Sequence, residues 1–99
     1  MEVLVTGTNL SSEGLDPRRR RLLFRCWHRG IREMDLVLGR FADVQLPTLS
    51  DVALDELERW LDVPDQQFFA WVNGMEQVPS NYDTALFRRL RDFHSENKA

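Results

Sequence analysis

The sequence predicts an all-α fold, a compact five-helix bundle in a single domain. Three observations carry that expectation. Apolar residues recur at three- and four-residue spacing through five successive segments, each bounded by a capping residue, a glycine or a proline. No segment alternates with period two for long enough to make a strand, and there is no internal repeat. At 99 residues, with three Trp and six Phe among 42% hydrophobic positions, the chain can bury one core without staples or metals.

Residues 1–15 mix Thr, Asn, Ser and Gly with a brief apolar run and read as a flexible N-terminal arm. The folded domain is expected over residues 16–94. Asp16-Pro17 has the form of a helix start, with Asp as N-cap and Pro where a missing N–H costs nothing. The first helix should reach His28 or Arg29. It would turn Leu22, Leu23, Cys26 and Trp27 inward, with Phe24 at the margin. Arg18, Arg21, Arg25, His28 and Arg29 fall on the opposite side. Gly30 then reads as the residue that ends the helix in a left-handed conformation.

A second helix, about Arg32 to Asp43, carries the stripe Met34, Val37, Leu38, Phe41 and Ala42, and residues 44–49 form a loop around Pro47. Ser50 caps a third helix, 51–61, with Leu54, Leu57, Trp60 and Leu61 inward and Asp55, Glu56 and Glu58 outward. Asp65 is placed to cap a fourth, through about Asn73, stopped by Gly74. Its apolar residues are Phe68, Phe69, Trp71 and Val72. Ser80-x-x-Asp83 resembles a capping box and would open a fifth helix to about His94, with Ala85, Leu86, Leu90 and Phe93 inward. Residues 95–99 form a frayed, polar tail.

Charge is distributed unevenly. Eight arginines and two acids lie between Arg18 and Arg40, a local balance of +6; from Phe41 onward five basic and eleven acidic residues give −6. A charge asymmetry of this size, centred on a glycine-hinged corner, Arg29 to Asp35, marks that corner as the candidate functional surface. Arginine outnumbers lysine twelve to one, favouring planar, bidentate contacts to carboxylates or phosphates. Candidate contact residues are Arg25, His28, Arg29, Gly30, Arg32, Glu33 and Asp35, a mixed set able to meet both donors and acceptors.

Other functions are disfavoured. Cys26 is the one cysteine and sits on the apolar face of its helix, so no internal disulfide forms and a core thiol is expected. Two scattered histidines with one thiol make no zinc site. There is no Gly-rich phosphate loop, nucleophile elbow or paired acid–histidine motif, so the chain is not expected to be an enzyme. No apolar run approaches the roughly 20 residues of a membrane span. The start of the chain resembles neither a secretory nor a transit signal, and the bacterial cytoplasm is the expected location. A net charge of −3 argues against a dedicated nucleic-acid binder.

The run Arg21-Leu22-Leu23-Phe24-Arg25-x-x-His28-Arg29-Gly30-x-x-Glu33-Met34-Asp35-x-x-Leu38 resembles the signature of the SdhE family, the flavinylation factors of succinate dehydrogenase. Its mitochondrial members are known as succinate dehydrogenase assembly factors. The family's Arg-Gly-x-x-Glu element falls on Arg29, Gly30 and Glu33. Leu49-Ser50-Asp51 and Asp65-x-x-Phe68-Phe69-x-Trp71-x-x-Gly74 match in order and spacing, so the resemblance spans Pro17 to His94. The N-terminal arm is longer than in the smallest members, and His28 stands where another basic residue is common.

The resemblance implies a five-helix assembly chaperone. It would bind the flavoprotein subunit of succinate dehydrogenase, sometimes also that of fumarate reductase, and promote covalent attachment of FAD to a histidine there before the iron–sulfur subunit docks. On that reading the FAD belongs to the partner, and the chain itself, a monomer, holds no cofactor stably. Arg25 and Arg29 would pair with partner carboxylates, and Glu33 with a partner cation or backbone donors. The alternative is a small regulator that binds nucleic acid or a toxin through Arg18 to Arg21.

Overall fold

The computed structural model describes residues 14–97. They form five helices: α1 (Pro17–Trp27), α2 (Arg32–Gln45), α3 (Asp51–Leu61), α4 (Asp65–Val72) and α5 (Ala85–Asn97), with a 3₁₀ turn at Leu46–Thr48 between α2 and α3. Strands are absent among the described residues. The structural expectations for residues 1–13 and 98–99 lie outside them; Leu15, assigned to the arm, packs against the core.

The helix starts follow their local chemistry. The Asp16 carboxylate accepts the Arg19 N–H at 2.8 Å, and the Ser50 hydroxyl accepts the Ala53 N–H at 3.2 Å. At the other ends, α1 stops with its cap at His28 and Gly30 follows at φ +110, while Gly74 follows α4 at φ +81.

α1 packs most extensively on α2, and α2 packs on α5. The expected stripes of α1, α2 and α3 are buried, and Trp60, Phe41, Phe68 and Phe87 are the largest wholly buried side chains. At the α1–α2 crossing, Gly39 lies so close to Trp27 that an added Cβ would sit 2.3 Å from the indole ring. The indole Nε1 of Trp27 donates to Asp43 at 3.0 Å, fixing the ring over the glycine.

Three local readings are corrected. Ser80 to Asp83 does not open α5; it forms turns in which Tyr82 comes within 5.1 Å of the Trp71 ring. Thr84 caps the helix instead, its Oγ1 accepting the Phe87 N–H at 3.0 Å. The later start leaves Ala85 exposed at the helix terminus and shows Phe87 to be the core residue that the inward set omitted. The helix also runs past His94 through Asn97, whose carbonyl accepts from Arg40 at 3.2 Å. Finally, α4 is capped by Pro64 with no side-chain bond, because Asp65 turns its carboxylate elsewhere.

Candidate functional site

Asp65 turns to Arg29. The guanidinium of Arg29 places Nε 2.7 Å and Nη2 2.6 Å from Asp65 Oδ1. Nη2 also donates to the Val63 carbonyl at 2.7 Å, and Nη1 donates to the carbonyl of Leu61 at the end of α3. All three guanidinium nitrogens are thus engaged within the chain, and the pair is only 10% and 20% exposed. A cation at the C-terminus of α3 and a carboxylate at the N-terminus of α4 both suit the helix dipoles. Arg29 therefore does not join the outward basic face. It is a strut that fastens the end of α1 to the α3–α4 turn.

The backbone of the same residue is held from the other side. Asp35, in the first turn of α2, accepts the Arg29 N–H at 2.8 Å. Gly30 lies between these anchors at φ +110, a conformation that side-chain-bearing residues rarely adopt. An added Cβ would meet nothing closer than Asp65 Oδ2 at 3.9 Å, so the glycine is required by backbone conformation rather than by crowding within the chain. The α1–α2 corner is thus pinned by Arg29, Asp65 and Asp35.

The outward residues of the corner remain available. Arg32 and Glu33 are exposed, and their side chains make no hydrogen bond or ion pair among the described residues. Arg25 is half-exposed, with only a loose 3.9 Å approach to Asp62. His28 is exposed, stacked on Phe24 with ring centroids 3.9 Å apart, and its Nδ1 lies 2.8 Å from the Phe24 carbonyl. Of the seven predicted contact residues, five (Arg25, His28, Gly30, Arg32 and Glu33) present themselves outward. Arg29 and Asp35 hold the corner in shape.

Phe24 was placed at the core margin by periodicity, yet it is 53% exposed. The arginine run also divides. Arg18 reaches α3, donating to Glu58 at 3.0 and 3.2 Å and to Asp55 at 2.5 Å. Those hydrogen bonds hold the Glu58 carboxyl below its ordinary pKa. Arg19 donates to the carbonyls of Leu46 (3.0 Å) and Leu49, and to Asp16. Arg20 and Arg21 remain exposed with uncommitted guanidinium groups. The acids of α3 are therefore the internal counter-charge of α1 as well as a wetted face.

Cys26 is wholly buried, and burial pushes its thiol up to about 12. It is a core thiol, as its place on the apolar face implied. A groove bordered by Asn73, Arg91 and His94 lies at the other end of α4 from Asp65, about 12 Å along the helix.

The family model described as "Flavinator of succinate dehydrogenase" matches residues 20–94, most of the chain and all of the pinned corner. The chain belongs to this family. Its role is accordingly in the flavinylation of succinate dehydrogenase. Among curated relatives, the FAD assembly factor SdhE of Acetobacter pasteurianus is 32% identical over 85 residues, covering 86% of this chain and 78% of the relative. The mitochondrial succinate dehydrogenase assembly factor 2 of Meyerozyma guilliermondii is 39% identical over 83 residues, covering 83% of this chain and 57% of the relative. The protein of the same name from Debaryomyces hansenii is 33% identical over 91 residues, covering 89% and 64%. The chain thus spans less than two thirds of those two yeast proteins. No solved structure matches it significantly. The family assignment leaves the nucleic-acid or toxin-binding alternative without support, and two of the four arginines it required are committed internally. No described helix is long and apolar enough to cross a membrane.

Proposed function

We propose that this flavinator family member binds the flavoprotein subunit of succinate dehydrogenase as a monomeric, non-catalytic assembly factor, and that the Gly30 corner is its contact surface. The observation that carries this reading is the rigid corner itself: Arg32 and Glu33 stand exposed and uncommitted beside a glycine whose backbone is fixed by Arg29, Asp65 and Asp35. Preorganised charge of both signs loses little freedom on binding and selects a partner by complementarity.

Covalent attachment needs the partner's histidine nitrogen held against the 8α carbon of the isoalloxazine, with negative charge developing on the flavin stabilised. Orientation alone can supply several kcal/mol of such a barrier. The family member's share is to order the partner around its own FAD; it keeps no FAD of its own. Arg25 and Arg32 meet partner carboxylates, and Glu33 meets a cation or backbone donors. The exposed backbone at Gly30 lets the two surfaces approach closely. The flavoprotein subunit of fumarate reductase is a second client on the same chemistry.

The test is complementation of a strain lacking the factor, with covalent flavin read by in-gel fluorescence of the flavoprotein subunit. Wild type restores the signal. Glu33→Ala melts like wild type and fails to restore it. A Glu33→Ala protein that restored full covalent flavin would overturn the assignment of the corner.

A further inference from the structure

An unexplained apolar side chain lies on the same face. Phe24 is 53% exposed on α1; a single exposed apolar side chain is ordinary on a protein surface, and what distinguishes this one is that it is held in place beside the arginines of the corner. It is not a loose side chain. The His28 ring lies against it at 3.9 Å between centroids and 14° between planes, and His28 Nδ1 is tied to the Phe24 carbonyl. Phe24 and His28 are one helical turn apart, and Gly30 follows two residues later. The stack therefore runs directly into the corner.

Arg20 and Arg21 lie one helical turn before it, Arg25 follows it directly, and Arg32 comes just past the corner; all four are exposed, and all but Arg25 lack an ion-pair partner among the described residues. An aromatic centre with a cationic rim is the composition of an interface hot spot: the ring is buried in a pocket, and the arginines exclude water and pair at the edge. Resting on the function proposed above, we infer that Phe24, held upright by His28, is the apolar anchor of the interface. It enters a socket on the flavoprotein subunit that is rimmed by carboxylates. Charge complementarity fixes the occupant as an acidic-rimmed protein surface. A nucleic-acid strand would need the whole arginine run, and Arg18 and Arg19 are occupied within the chain.

The experiment measures binding of the full chain to the purified flavoprotein subunit at low and physiological salt. Phe24→Ala weakens affinity by about tenfold or more, through faster dissociation and equally at both salt concentrations. Phe24→Tyr, which keeps the ring, binds within about twofold of wild type. Arg21→Gln changes the association rate and flattens its salt dependence. His28→Ala weakens binding less, and its effect shrinks once Phe24 is already Ala. Phe24→Ala with wild-type affinity, beside a Glu33→Ala chain that no longer binds, would overturn the anchor and leave the proposed function standing. Failure of the wild-type chain to bind the subunit would overturn both. Tight, Phe24-dependent retention of a single-stranded oligonucleotide, without capture of the subunit, would reassign the face to nucleic acid.

Discussion

Arg29 and Asp65 lie 36 positions apart in sequence and meet at 2.6–2.7 Å, closing the end of α1 onto the α3–α4 turn. The arginine of the Arg-Gly-x-x-Glu element thus faces inward and its glutamate outward. Asp65→Asn should destabilise the protein by about 2 kcal/mol, because a largely buried guanidinium loses its charge partner. Arg29→Lys should cost a similar amount, since one ammonium cannot serve a carboxylate and two carbonyls in this planar arrangement. Urea denaturation of both single variants and the double variant measures the coupling. Additive losses would show that the two side chains do not act on each other.

Gly30 separates conformation from contact. Its φ of +110 predicts that Gly30→Ala destabilises by about 1–2 kcal/mol although the Cβ has room. Gly30→Arg should show the same strain in addition to blocking the partner. A thermal melt distinguishes the cases. Glu33→Ala carries no backbone penalty and is the cleaner probe of binding.

Much of this was legible in the sequence because helix periodicity and caps are local. The stripes of α1, α2 and α3, the caps at Asp16 and Ser50, and the stop at Gly74 all follow from neighbours within a turn or two. The misreadings came from long-range pairing. Arg29 looked like one more member of an outward basic face, because its acceptors, Leu61, Val63 and Asp65, lie far along the chain. Ser80 looked like a cap until Tyr82 was drawn onto Trp71. Phe24 at the edge of an apolar stripe could have faced either way. Only the packing of α2 and α3 against α1 decides which edge is covered.

Gly39 had no sequence signal beyond being a glycine inside a helical stripe, where it costs roughly 1 kcal/mol relative to alanine. That cost is offset by letting Trp27 lie flat against the α2 backbone, within 2.3 Å of where a Cβ would stand. Gly39→Ala should therefore destabilise by about 2–3 kcal/mol despite its better helix propensity. Pairing it with Trp27→Leu should recover part of the loss by vacating the ring's space. Chemical denaturation of the single and double variants, read by far-UV circular dichroism, checks both statements.

Glu58 gives the stability a defined response to acid. Its hydrogen bonds from Arg18 lower its folded-state pKa below the ordinary 4.5, so the folded form holds the charged carboxylate more firmly than the unfolded chain does. The resulting stabilisation is present above the unfolded value and fades as pH falls through the folded one. Asp16, lowered from 3.8 chiefly by the Arg19 N–H, acts in the same direction. Glu58→Gln should thus have a lower urea midpoint than wild type at pH 7. The two curves should converge as pH falls below about 4.5 and through the lowered folded-state pKa. Because the Glu58 side chain is 41% exposed, the difference at pH 7 should be small and should narrow further in high salt. A gap that stayed constant across that pH range would show that the pair with Arg18 does not act through charge.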